Sequence, residues 1–63
     1  MQKFSIVKVL KEFNCGEKIF KVGHKMKYVT RLKTGVNVLK ELDSECWLEC
    51  SDETLRNFEE VAQ

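Results

Sequence analysis

The sequence predicts a mainly-β domain, a small five-stranded antiparallel barrel or strongly bent sheet closed by a C-terminal α-helix over about residues 52–62. Three stretches carry that expectation. Lys25-Met26-Lys27-Tyr28-Val29 alternates lysines with large apolar side chains, the period of a half-buried strand. Asn14-Cys15-Gly16-Glu17 separates two apolar runs and offers glycine for positive φ, as a tight hairpin turn requires. Ser51 is a good N-cap, and Asp52 and Glu53 follow where a helix dipole favours negative charge.

Taken in order, residues 4–10 are rich in valine and isoleucine. Ile6, Val9, Leu10 and Phe13 also fall at helical spacing, but no N-cap precedes them and a hairpin turn follows, so a strand is predicted. Its side-chain phase shifts between Ile6 and Val7, which suggests a bulge or a strand covered on both faces. Lys18-Ile19-Phe20 is the short returning strand, and Lys21-Val22-Gly23-His24 a bend. Residues 25–29 form the alternating strand, and residues 30–35 a loop or irregular extension ending at Gly35. Residues 36–42 resume the β pattern, Asp43-Ser44 turns the chain, and residues 45–50 are the last strand, with Cys46, Leu48 and Cys50 facing inward. Leu55, Phe58 and Val61 or Ala62 then make the apolar stripe of the closing helix.

Sixty-three residues, 43% of them apolar, make one globular domain over residues 1–63, with no internal repeat, linker or proline. Such a chain buries only about 60% of its unfolded surface. A core this small leaves roughly 3–5 kcal/mol to spare, too little to hold a strained active site, so an enzyme acting alone is not expected. There is no apolar run of roughly 20 residues to span a bilayer and no signal-peptide pattern at Met1-Gln2-Lys3-Phe4. Three cysteines, an odd number, lack the density of a secreted disulfide scaffold. Together these predict a cytoplasmic protein with reduced thiols. The net charge of +1 conceals an asymmetry: residues 1–40 carry +8 and residues 41–63 carry −7.

The bend Phe20-Lys21-Val22-Gly23 before the strand bearing Met26 and Tyr28, with Trp47-Leu48-Glu49 and Leu55 after it, resembles the small SH3-like barrels of bacteria and their phages. The resemblance spans roughly residues 4–61. It implies a fold and little more, because that fold hosts many unrelated functions. The acidic-aromatic loop with which eukaryotic SH3 domains grip proline-rich peptides has no counterpart here, so the resemblance implies no binding residues.

Cys15, His24, Cys46 and Cys50 are the candidate zinc ligands. Cys46 and Cys50 on one strand stand about 13 Å apart at roughly 3.3 Å per residue, too far to share an ion about 2.3 Å from each sulfur. No metal site or other cofactor is therefore expected, and the cysteines read as small hydrophobes. Cysteine catalysis needs a base, and His24 is the only histidine.

The expected activity is non-enzymatic protein binding, by an accessory or phage-type modulator or inhibitor of a larger intracellular protein. Its site is Trp47 with Glu45, Glu49 and Tyr28, an aromatic anchor ringed by acids; the competing expectation is that the lone tryptophan is core. The alternative function is nucleic-acid binding through Lys25, Lys27, Arg31 and Lys33, cations beside aromatic rings that attract phosphate and stack on bases. Against it, the acidic half can cancel the basic one within a Debye length of about 8 Å. The same polarity leaves room for self-association; no membrane partner is expected.

Overall fold

A computed structural model describes residues 5–61; Phe4 and Ala62, assigned above to the first strand and the helix stripe, lie outside them. The chain is mainly β. In order it forms β1 (Ile6–Val9), β2 (Phe13–Cys15), β3 (Lys18–Phe20), β4 (Lys25–Arg31), β5 (Asn37–Glu41), β6 (Trp47–Cys50), α1 (Asp52–Leu55) and β7 (Phe58–Glu60). Five strands make one antiparallel sheet in the order β6-β5-β4-β1-β7, and β2 and β3 make a separate hairpin. The sheet does not close into a barrel, since β6 and β7 are its two edges.

Alternation decides what each strand buries. Val7 and Val9 on β1, Met26 and Tyr28 on β4, Leu39 on β5, Leu48 and Cys50 on β6 and Phe58 on β7 form one inner layer, with Phe20 of the hairpin over it. The first strand thus has its inward phase at Val7 and Val9. In β4 the register shifts between Tyr28 and Thr30. This irregularity pairs Arg31, rather than Thr30, with buried Asn37 and so turns Arg31 toward the inner layer's end. Residues 30 and 31 are therefore an irregular extension of the strand, one of the two alternatives expected for residues 30–35.

The hairpin corrects the expected pairing. Lys18–Phe20 returns against Phe13–Cys15, not against the first strand, which pairs instead with β4 and β7. Gly16, at φ 63°, lets the two-residue turn Gly16-Glu17 close the hairpin. Aromatic contacts then fold it over the sheet. Phe13 stacks on Phe20 with centroids 5.1 Å apart and meets the edge of Phe58 at 5.5 Å. The bend at residues 21–24 is tied back to β1, with Val9 N–H donating to His24 O and Gly23 N–H to Val9 O, both at 2.8 Å.

The C-terminal helix is a second correction. Ser51 does cap a helix, its hydroxyl accepting from the amide of Thr54, but that helix ends after one turn at Leu55. A turn this short has no stability of its own. The chain turns at Arg56 and Asn57, and Phe58 enters the core from a strand whose pairing with β1 satisfies backbone groups a helix would have left beside an open sheet edge. The apparent stripe of Leu55, Phe58 and Val61 is a helical turn followed by a strand.

Phe58→Ala is expected to remove about 3–5 kcal/mol, as much as a domain of this size has to spare, and so to abolish the cooperative urea transition. Glu59→Ala, on the opposite face of the same strand, should shift stability by no more than about 0.5 kcal/mol.

Candidate functional site

The sheet's register places side chains from four strands in one row on its outer face. Ile6 lies opposite Lys27, Lys27 opposite Lys40, and Lys40 opposite Trp47. Cross-strand partners share a face, so Trp47 and Glu49 stand outside while Leu48 and Cys50 point in. Trp47 is 56% exposed, and the core expectation for it is overturned. Glu45 and Glu49 are also exposed, and these three are within five residues of one another around the sheet edge.

Tyr28 does not belong to this site. It is only 4% exposed and faces inward on β4, its hydroxyl donating to Asn37 Oδ1 at 3.0 Å. Lys27, the residue before it, faces the opposite side of the strand, so Tyr28 shares the inner face with Met26. Cys46 is the remaining correction: it precedes β6 and is exposed, so the inner face of that strand is Leu48 and Cys50 alone.

Behind Trp47, between β6 and the hairpin, runs an open groove of about 270 Å³. Phe20, Met26 and Leu48 give it an apolar wall, Cys15 lines it, and Lys18, Glu41 and Glu49 are its polar groups. Glu41 is the hub of the groove's inner end. Its carboxylate, with side chain 13% exposed, accepts from Lys18 Nζ at 2.8 Å and His24 Nε2 at 2.6 Å. Burial alone would raise its pKa, but the two donors together hold it below the ordinary value. The sequence marks neither Lys18 nor Met26 as a site residue, and it considers Cys15 only as a metal ligand. Each reaches the groove through pairing or packing distant in the chain, which no local pattern announces.

The alternative basic set is divided. Lys25 and Lys27 share the outer face with Trp47, and Lys33 lies exposed in the turn before β5. Arg31 is engaged elsewhere, donating to Asp52 through Nη2 at 2.8 Å and Nε at 3.3 Å. Asp52 also accepts from Asn37 Nδ2 at 2.8 Å. The ion pairs Lys8–Glu59, Lys18–Glu41, Arg31–Asp52 and Lys40–Glu45 each join the basic half of the chain to the acidic half, so the two halves face one another.

Among the described residues no three of His, Cys, Asp and Glu come together as a metal-binding group. Burial pushes the Cys50 thiol up to about 11, with Cys15 and Asp52 adding to the rise, so it is a poor source of thiolate at neutral pH. No helix among the described residues is long and apolar enough to cross a membrane.

No protein-family model matches this chain, and no curated protein or solved structure matches it significantly.

The Arg31–Asp52–Asn37 network makes a pH prediction. Hydrogen bonds from Arg31 and then Asn37 lower the Asp52 pKa from 3.8 to about 2. A carboxylate depressed on folding stabilises the native state fully above its unfolded value, and that contribution is lost as pH falls through the folded value. The stability difference between wild type and Asp52→Asn, measured by urea unfolding, should be constant above about pH 5 and shrink between about pH 4 and pH 2.

Proposed function

We propose that this chain is a non-enzymatic protein-binding module on a small SH3-like scaffold, an accessory or phage-type modulator of a larger protein. The scaffold reading is supported by the topology. The last strand returns to flank the first, a hairpin is inserted between the first two strands of the main sheet, and one helical turn precedes the final strand. The binding reading rests on one observation, the exposure of the only tryptophan on an edge strand between acidic side chains and above an open groove. A large amphipathic ring held on a strand loses little side-chain entropy on docking, and tryptophan is the residue type most often found at the centre of binding hot spots. Glu45 and Glu49 supply charge for steering and register. Glu49 has no cation beside it in the ion pairs above, and Glu45 holds Lys40 only at 3.8 Å from a side chain 92% exposed.

A second reading, nucleic-acid binding, is favoured by the row that sets Lys27 and Lys40 beside Trp47 on one face. It ranks lower because Arg31 is held by Asp52 and because Glu45, Glu49 and Glu59 border the same face.

Trp47→Ala and Glu49→Lys should both leave the far-UV spectrum unchanged and weaken capture of a purified, nuclease-treated partner by about tenfold or more. Capture indifferent to both substitutions would overturn the protein-binding reading. So would capture that disappears with nuclease and with charge reversal at Lys25, Lys27 and Lys33.

A further inference from the structure

The backbone of β6 carries a second kind of information. Glu41 N–H donates to Cys46 O at 3.0 Å, so residues 41 and 46 are a hydrogen-bonded pair. In an antiparallel ladder such pairs alternate with pairs that exchange no bonds. The pairs Leu39–Leu48 and Asn37–Cys50 are then bonded, whereas Trp47 and Glu49, opposite Lys40 and Val38, turn their N–H and C=O groups away from β5. Because β6 is the last strand of the sheet, those four groups meet no further strand among the described residues. Trp47, Leu48 and Glu49 of this same strand also line the groove.

We propose that β6 is a docking edge to which an extended segment of the protein partner adds as an antiparallel strand, its side chains alternating basic and apolar; this rests on the protein-binding reading above. The alternation follows from the faces of β6. A residue added opposite Glu49 shares its outer face, where a lysine or arginine is the favourable cross-strand partner. One opposite Trp47 lies on the same face, where a cation can sit over the indole ring. The residue between them, opposite Leu48, points into the groove against Leu48, Met26 and Phe20 and must be apolar. The backbone of such a strand would occupy the outward groups of Trp47 and Glu49, and its apolar residue would enter the groove. The complementary pattern exists within the sheet itself. On β4, Lys25 and Lys27 face out while Met26 and Tyr28 face in.

A second copy of this chain is the poorer occupant. Symmetric antiparallel pairing of β6 with itself about Leu48 sets each Glu49 opposite a Trp47, with both Glu49 side chains and both Glu45 side chains crowded on one face. Lys40, the cation opposite Trp47 on that face, is already paired with Glu45.

The test uses blocked alternating Lys-Val peptides, with the single tryptophan as reporter. Burial of Trp47 by an added strand should shift its emission to shorter wavelength, saturably, at peptide concentrations below about millimolar. Residues opposite Trp47 and Glu49 use their own N–H groups in the bonded pairs, so N-methylation of the lysine amides should weaken binding by about tenfold or more. N-methylation of the valine amides should be tolerated. An alternating Glu-Val peptide should not bind. Equal binding of both methylated peptides would show attraction by charge without strand addition, and would overturn the inference while leaving the protein-binding reading intact. A concentration-dependent dimer of the free protein that the Lys-Val peptide does not displace would make the second copy the occupant and also overturn it. Absence of any shift with the Lys-Val peptide overturns the inference alone, because partner capture by Trp47 is measured separately.

Discussion

The register of β4 is the constraint on which the rest of the structure depends. As the middle strand of five, it fixes which side of its neighbours faces the core, since cross-strand partners share a face. Met26 and Tyr28 point in, so Lys25 and Lys27 point out, and the row through Lys27 and Lys40 carries that decision to Trp47. A slip of one residue would bury the lysines and expose the core. The irregularity after Tyr28 then brings Arg31 toward Asp52, and Asn37, fully buried, satisfies Tyr28 and Asp52 together. Tyr28 and Asn37 are thus buried polar groups with partners, as a core this small requires.

What was legible in the sequence was whatever depends on neighbours along the chain. The alternation of residues 25–28, the glycine turn at Gly16, the bend at residues 21–24 and the cap at Ser51 are local, and each stands in the structure where the residues place it. Pairing was not legible. Nothing in Lys18-Ile19-Phe20 distinguishes a partner in residues 13–15 from one in residues 6–9. At the C-terminus, Leu55, Phe58 and Val61 fit a helical stripe equally well as a helical turn followed by a strand, and only the unpaired edge of β1 decides between them. The site was half legible for the same reason. Trp47 and Glu49 follow from the phase of one strand, whereas Tyr28 was misplaced and the groove, assembled from the hairpin, β4, β5 and β6, left no local mark.

Edge strands of sheets are commonly kept short and charged, which discourages unwanted pairing. β6 has four residues and carries Glu49 outward, and both features fit such protection. Protection against all partners, however, calls for no exposed tryptophan and no open apolar groove beside the edge. Charge of one sign on an edge also repels like segments and admits opposite ones, so the same glutamate serves selectivity as well as solubility. The hairpin matters here by what it leaves uncovered. Its aromatic contacts fasten it toward Phe58 on β7, at the far side of the sheet from β6.

In the five-stranded sheet β6 is an edge strand, and its backbone groups at Trp47 and Glu49 face away from β5. Amide hydrogen exchange of residues 47–50 in the free protein measures this directly. Slow exchange is expected at Leu48 and Cys50, which donate to β5, and fast exchange at Trp47 and Glu49, which face away from it. Equal, strong protection at all four amides would mean that the edge is already covered, and would contradict it.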